Sequence, residues 1–401
     1  MSMTPPVISP ASNSLFMPRA SRRSDVAPFI VMDVMEHAAR IEAEGGQVIH
    51  LEVGQPAAPA PLTARKAAAA ALEAGQVGYT AALGMPSLRA RIARHYGEQH
   101  GLGLDPERVV VTNGSSGGFI LAFLALFEAG DRVAIASPGY PPYRHVLSAL
   151  GCEPVLIETR AEDRYALTPE QLIAAHREAP LKGVLVASPA NPTGTMMDRE
   201  ALSALHACAR ELGIAFISDE IYHGLDYAFP AVSAAEIADD VIVINSFSKY
   251  FCMTGWRVGW MVVPPGLART MERLQQNLSI SVPTLSQIAA EAAFDGRAEM
   301  DAVKRGYEEN RRILTQGLPG VGLKHFLPAD GAFYFYADVS AFTDDSAAFA
   351  TRMLDAVHVA TTPGVDFDPF HGHQFLRLSY AGSAAHMREA VARIGAFLAR
   401  G

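Results

Sequence analysis

Cysteine is scarce in this chain: three thiols, Cys152, Cys208 and Cys252, in 401 residues. They are odd in number and widely spaced, which excludes a disulfide framework and a zinc pattern and suits a reducing, cytoplasmic compartment. Long apolar runs are missing as well. The longest, Phe119 to Phe127, falls well short of the roughly 18 residues that span a bilayer. Basic charge is in deficit, with 33 Lys and Arg against 42 Asp and Glu, so no nucleic-acid footprint is expected. No dinucleotide fingerprint and no P-loop lysine are present, which disfavours nucleotide binding. His371 and His373 stand two apart in a polar loop and read as solvated, so metal ligation has little support.

What is present is ample apolar content, 49% of the residues, enough for two domains with large cores. Residues 1–24 are rich in Ser, Pro and Arg and hold no acid before Asp25. That composition is shared with transit peptides but lacks an amphipathic repeat, so a flexible arm is expected. A helix over 25–44 should stop at Gly45-Gly46, and a strand over 48–53 should run into the turn Gly54-Gln55-Pro56. Helices follow at 63–74 and 86–99. Thr168-Pro169-Glu170-Gln171 reads as a capped helix start, and a further helix spans 198–212. Beyond residue 290, helices at 298–316, 345–357 and 384–399 alternate with strands at 331–338, 358–362 and 374–380, a second α+β unit.

The chemistry concentrates at strand ends. Lys249 follows the β-branched run Val241 to Ile244 and has no acid in the next ten positions. A lysine that loses water there drops below its usual pKa of about 10.4 and becomes a nucleophile toward a carbonyl. A solvated loop lysine is the common alternative. Arg257 lies eight residues on, and two cations among hydroxyls suit an anionic carbonyl compound such as an aldehyde phosphate. Strand Val109 to Thr112, loop Asn113 to Gly118 and the apolar helix from Phe119 form an arrangement that aims backbone N–H groups at an anion, although such loops also serve as plain turns. In Ser137-Pro138-Gly139-Tyr140-Pro141-Pro142-Tyr143 a proline-stiffened aromatic offers a stacking platform or covers core. The Asn191 amide sits in a turn at a strand end, suited to a phenolic oxygen. Asp219 ends another strand and needs a cationic or N–H partner. Arg377, flanked by apolar residues, wants a bidentate carboxylate, either a structural salt bridge or a ligand.

Ser246-Phe247-Ser248-Lys249 leading to Gly255-Trp256-Arg257-Val258-Gly259, together with Ser188-Pro189-Ala190-Asn191-Pro192-Thr193-Gly194, resembles the pyridoxal-phosphate-dependent aminotransferases of class I/II (fold type I, aspartate aminotransferase superfamily). The likeness extends from about residue 26 to the C-terminus. It implies an α/β fold in which a large domain, 53–290, carries a mostly parallel mixed sheet flanked by helices. Residues 25–52 and 291–401 would form a smaller α+β domain. It further implies Lys249 joined to pyridoxal phosphate as a Schiff base, with Ser115, Ser116, Ser246 and Arg257 at the phosphate. Tyr140 would stack on the ring, Asn191 and Tyr222 would share its phenolic oxygen, and Asp219 would pair with its nitrogen. Gly54, Asn191 and Arg377 would bind the substrate, Arg377 through its α-carboxylate. Tyr79 would reach the phosphate of a second subunit, making a homodimer. Cis bonds are expected at Ser137-Pro138 and Asn191-Pro192.

One departure stands out. Asp368 in Pro363-Gly364-Val365-Asp366-Phe367-Asp368 takes the place of a usual glycine, which puts the loop before Arg377 in question. The implied reaction moves an amino group between an L-amino acid and a 2-oxo acid by a ping-pong scheme. A lyase on the same fold, such as a C–S β-lyase, would share nearly every residue. A cofactor-sensing regulator would need a basic DNA-binding module, which the N-terminal arm is too small to hold. No second arginine marks a dicarboxylate pocket, and the apolar content mildly favours neutral or aromatic donors.

Overall fold

The structure, a computed structural model, describes residues 19–400. Most of the expected arm, residues 1–18, lies outside the described residues; Arg22–Ser24 form a single 3-10 turn. The first helix, α1, is Ile30–Ala43, five residues shorter at its start than expected. Pro28 accounts for this, because the ring disfavours helical geometry in the residue before it and removes an N–H.

The sheet that positions the site has seven strands. In chain order these are β2 (Val109–Thr112), β3 (Arg132–Ser137), β4 (Glu153–Glu158), β5 (Gly183–Ala187), β6 (Ala215–Asp219), β7 (Ile242–Ser246) and β8 (Gly259–Val262); β1 (Ile49–His50) lies apart. Their spatial order is β2-β8-β7-β6-β5-β3-β4. Only β8 runs antiparallel to its neighbours. Strands such as β2 and β7 read as unbroken apolar runs because both faces are covered. Val110, Ile244 and Met261 meet α4 (Gly114–Leu126) and its neighbours on one side. Val111, Val243 and Trp260 meet helices including α3 (Pro86–His100) on the other; α2 (Leu62–Glu73) precedes it.

Strands β3, β5, β6 and β7 end at Ser137, Ala187, Asp219 and Ser246. The register sets Gly259 opposite both Thr112 and Ser246, so the following loops gather at one edge. Ligands of open α/β sheets bind at these carboxyl ends.

A second sheet, order β11-β12-β9, is antiparallel, with β9 Tyr334–Asp338, β11 Thr362–Pro363 and β12 Phe375–Ser379; β10 (Val359–Ala360) pairs instead with β1. Arg377 lies mid-strand in β12, opposite Thr362 and Tyr336. The strand expected over 48–53 shrinks to β1 because its later carbonyl turns to side chains: Glu52 O accepts from Thr362 Oγ1 at 2.9 Å and from Arg377 Nη2. Likewise β9 starts three residues late, since Ala332 takes a left-handed turn at φ 56°. The capped helix start at Thr168 is present, with both reciprocal bonds. Ser137-Pro138 and Asn191-Pro192 are cis, as expected, and Ser188-Pro189 is cis as well.

Candidate active site

Ten of the twelve residues singled out in the sequence converge on one cavity of about 370 Å³. Its floor comes from the ends of the parallel strands. Asp219, 3% exposed, accepts the Ile221 N–H at Oδ1 (3.0 Å) and the Tyr143 hydroxyl at Oδ2. Burial holds its carboxyl well above the usual carboxylate range, at about 6, against the pull of those two donors. Lys249 enters from the loop after β7, and its Nζ donates to Gly54 O at 2.6 Å. Burial first, then the nearby Arg377 charge, lowers the amine to about 8. A neutral fraction therefore exists near physiological pH, the condition a nucleophilic lysine requires.

Ser115 and Ser116 stand in the first turn of α4, where no side chain caps the helix. Arg257 faces this turn with its backbone held left-handed, φ 51°, and its Nη1 donates to Thr254 O at 2.9 Å. Gly114 (φ +67°) leaves the room: a Cβ there would lie 2.5 Å from Arg257 Nη2. Free amide groups, two hydroxyls and a guanidinium make an anion cradle. Tyr140 packs edge-on to Tyr143, centroids 5.2 Å apart.

Arg377, 2% exposed, lies between the rings of Tyr334 (4.5 Å) and Phe367 (4.7 Å). Its Nη1 donates to Asn191 Oδ1 at 3.0 Å, while Nε has no partner among the described residues. Tyr222 shares a 2.7 Å hydroxyl bond with Tyr334. Gly54 must lack a side chain, because a Cβ there would collide with the Tyr334 hydroxyl.

Two singled-out residues stand elsewhere. Ser246 does not line the cavity; its hydroxyl oxygen lies 2.9 Å from Ser248 Oγ and 3.2 Å from Val258 O, and Ser248 is the serine that lines it. The strand ends at Ser246, and the turn that follows gives Ser248 a different facing. Tyr79 is 83% exposed and outside the cavity of its own chain.

The reading of the sequence missed other wall residues. Tyr143 was visible beside Tyr140, yet nothing in the sequence says which aromatic faces the buried acid. Tyr334 comes from a distant segment and carries no local signal, and nothing in the sequence of the loop before Arg377 says that Phe367 faces the guanidinium. Phe29, Val31, Met32 and Met35 close the cavity from α1 and the residue before it; they look like one face of an ordinary amphipathic helix.

Among the described lining residues three are cationic, Lys249, Arg257 and Arg377, and only Asp219 is acidic. Among the described residues, no ion pair within 4 Å involves any of them. An excess of positive charge around the cavity, with Arg377 buried, beside an uncapped helix start, fits a ligand carrying a phosphate and a second anion. An isolated buried carboxyl fits a protonated ring nitrogen, and a depressed amine fits an aldehyde. The donor set thus matches pyridoxal phosphate.

Comparison with known proteins agrees. Residues 46–394 match the family model described as aminotransferase class I and II. A valine–pyruvate aminotransferase of Mycobacterium tuberculosis is 49% identical over 384 residues, covering 95% of this chain and 98% of that protein. An aspartate/prephenate aminotransferase of Thermus thermophilus is 32% identical, covering 93% and 97%. Among solved structures, an aminotransferase from Mycobacterium tuberculosis superposes with a TM-score of 0.93 at 48% identity, covering 96% and 100%. Thermus thermophilus aspartate aminotransferase with maleate gives 0.89 at 31%, covering 95% and 100%.

Proposed function

Since this chain belongs to the class I and II aminotransferases, and so uses pyridoxal phosphate to move an amino group between an amino acid and a 2-oxo acid, we propose how its own residues divide that work. Convergence of a lowered amine, an isolated carboxyl and a buried guanidinium on one cavity carries the reading. When bound, pyridoxal phosphate supplies an electron sink for negative charge developing at the donor's Cα.

Lys249 is the residue that holds the cofactor's aldehyde. Its Nζ, when free, would take up the proton from the donor's Cα and hold it for return, a task matched to a pKa near the working pH. Asp219 would pair with the cofactor's ring nitrogen, and the Tyr143 hydroxyl and the Ile221 N–H hold its carboxylate in place. Ser115, Ser116, Ser248 and Arg257 hold the phosphate, with Ser246 one hydroxyl behind them. Tyr140 stacks on the ring, while Asn191 and Tyr222 bond its phenolic oxygen. Arg377 grips the donor's α-carboxylate; the flanking rings keep the guanidinium in plane, and Asn191 orients one end of it.

The donor is a neutral amino acid. Support comes from the wall of Phe29, Val31, Met32 and Met35 and from the function named for the Mycobacterium tuberculosis relative. All three lining cations already have a task, which leaves none for a side-chain carboxylate. A donor-by-acceptor activity panel tests this: neutral donors should lead, with turnover dependent on an added oxo acid. Ammonia and pyruvate released without an acceptor would instead indicate a lyase.

The enzyme works as a homodimer. Exposed Val77 and Tyr79 flank Gly78, whose carbonyl is held by Thr284 beside exposed Leu278 and Ile280, an apolar surface of the kind that pairs copies. Tyr79 would complete the partner's phosphate cradle from there. The division into a large domain, 53–290, and a small one, 25–52 with 291–401, is supported by the two sheets, which fall within 109–262 and 334–379. Three free, buried cysteines support a cytoplasmic setting.

A further inference from the structure

The loop marked out by Asp368 ties three walls of the site together. Phe367 packs against the Arg377 guanidinium, and its carbonyl accepts the Gly139 N–H at 3.1 Å. Asp368, 4% exposed, accepts the Ser137 hydroxyl at 2.8 Å. Asp366 reaches in another direction. It is 2% exposed, and its Oδ1 accepts the Ile30 N–H at 3.3 Å across 336 positions of sequence.

Ile30 is the first residue of α1, and Phe29 at the N-cap offers no side-chain acceptor. The first N–H groups of a helix need acceptors from outside it, and Asp366 supplies one. The loop itself is held independently of the helix. Arg144 Nη2 donates to the Asp366 carbonyl at 2.6 Å, and Gly364 sits so close to Gly372 and Phe375 that a Cβ would meet their carbonyl oxygens at 2.5 and 2.7 Å. A rigid loop that carries the stacking partner of Arg377 thus also anchors the helix bearing Val31, Met32 and Met35, with Phe29 just before it.

We propose that Asp366 is a positioning residue for donor selection: by capping α1 from the loop before Arg377, it holds Phe29, Val31, Met32 and Met35 as an apolar roof over the substrate's side chain. This rests on reading the cavity as the seat of a neutral amino donor. Asp366 does not touch the donor; it acts through α1. A donor with a long apolar side chain reaches the roof, and alanine does not. Losing the cap lowers the fraction of enzyme with the roof in place, and apparent affinity falls by that fraction.

The test compares Asp366→Ala, Asp366→Asn and Ile30→Pro in the cofactor-loaded enzyme. Proline is tolerated at the first helical position, where it removes the N–H and exchanges the half-buried Ile30 side chain for a ring. Asp366→Ala and Ile30→Pro should each raise KM for leucine or valine by ~tenfold. KM for alanine and kcat for every donor should change by less than about threefold on the same basis. Asp366→Asn keeps an acceptor for Ile30 and should restore most of the loss. Hydrogen exchange supplies a readout apart from turnover: in Asp366→Ala, amides 30–34 should exchange faster while those of α4 do not change. Equal rises in KM for alanine and leucine, or unchanged exchange at 30–34, would overturn the proposal. If Asp366→Ala fails to fold, Ile30→Pro decides alone. A wild-type enzyme that turns over no neutral donor would sink the functional reading, and the exchange result would then decide the role of Asp366.

Discussion

Replacing Asp219 by Asn should make the cofactor-free protein more stable and the enzyme nearly inactive. The buried carboxyl has its pKa raised from 3.8 to about 6, so folding works against its charge. Above about pH 6 the folded protein carries the full cost of that charge. The cost is relieved as pH falls from about 6 to below 3.8, where the group is protonated in both states. About two pKa units at 1.36 kcal/mol each give about 3 kcal/mol at pH 7.5. Asn leaves the local bonds intact: its oxygen can accept the Ile221 N–H, and its NH2 can donate to the Tyr143 oxygen. Thermal unfolding of cofactor-free wild type and Asp219→Asn from pH 4 to 8 reads the difference. The variant should melt higher at pH 7.5, with the gap closing toward pH 4. With cofactor, turnover should fall by several orders of magnitude, since a neutral amide cannot balance a protonated ring nitrogen. A variant that melts lower at pH 7.5, or a gap independent of pH, would refute the claim that Asp219 is buried without a cation in the free protein.

Other substitutions probe the remaining roles. Arg377→Lys keeps the charge but loses the fork; one charge-assisted hydrogen bond of about 1.5–3 kcal/mol predicts a loss of roughly 10- to 150-fold in kcat/KM, with cofactor retention unchanged. A loss under twofold would remove Arg377 from the carboxylate site. Tyr143→Phe takes away a donor that lowers the Asp219 pKa, so the acid limb of the kcat/KM profile should move up by about one pH unit; an unmoved limb would mean the hydroxyl does not set that titration. Tyr79→Ala should weaken phosphate-dependent cofactor retention without altering donor preference, and an unchanged cofactor Kd would leave the subunit-spanning role without support.

The fold was legible wherever local pattern decides it. Apolar runs at Val109–Val111 and Ile242–Ile244 announced buried strands, and Thr168 and Asp198 announced helix starts through the hydrogen bonds their side chains make. Lys249 and Asp219 could be read because each is an ionisable group at or just past the end of an apolar run, and Arg377 because it lies within one, where burial makes charge costly. The aromatic pair around Arg377 could not, because Tyr334 and Phe367 meet it only through the pairing of β9 and β12 and the loop after β11. Ser246 and Ser248 have the same residue type two positions apart, and only the turn after β7 separates their facings. Asp368 raised a doubt that the structure answers: its carboxylate is occupied by the Ser137 hydroxyl and the Phe370 N–H at 3.0 Å, joining the loop to the end of β3. The roof over the cavity was hidden because Met32 and Met35 sit on α1 at a spacing that ordinary core packing also produces.

The identity of the amine that holds the cofactor decides every other role in the site. Borohydride reduction of the loaded enzyme followed by peptide mass spectrometry should find the pyridoxyl mass on the peptide containing Lys249, and nowhere after Lys249→Ala. A label on Lys66, Lys182, Lys304 or Lys324, or no label on an active enzyme, would contradict it.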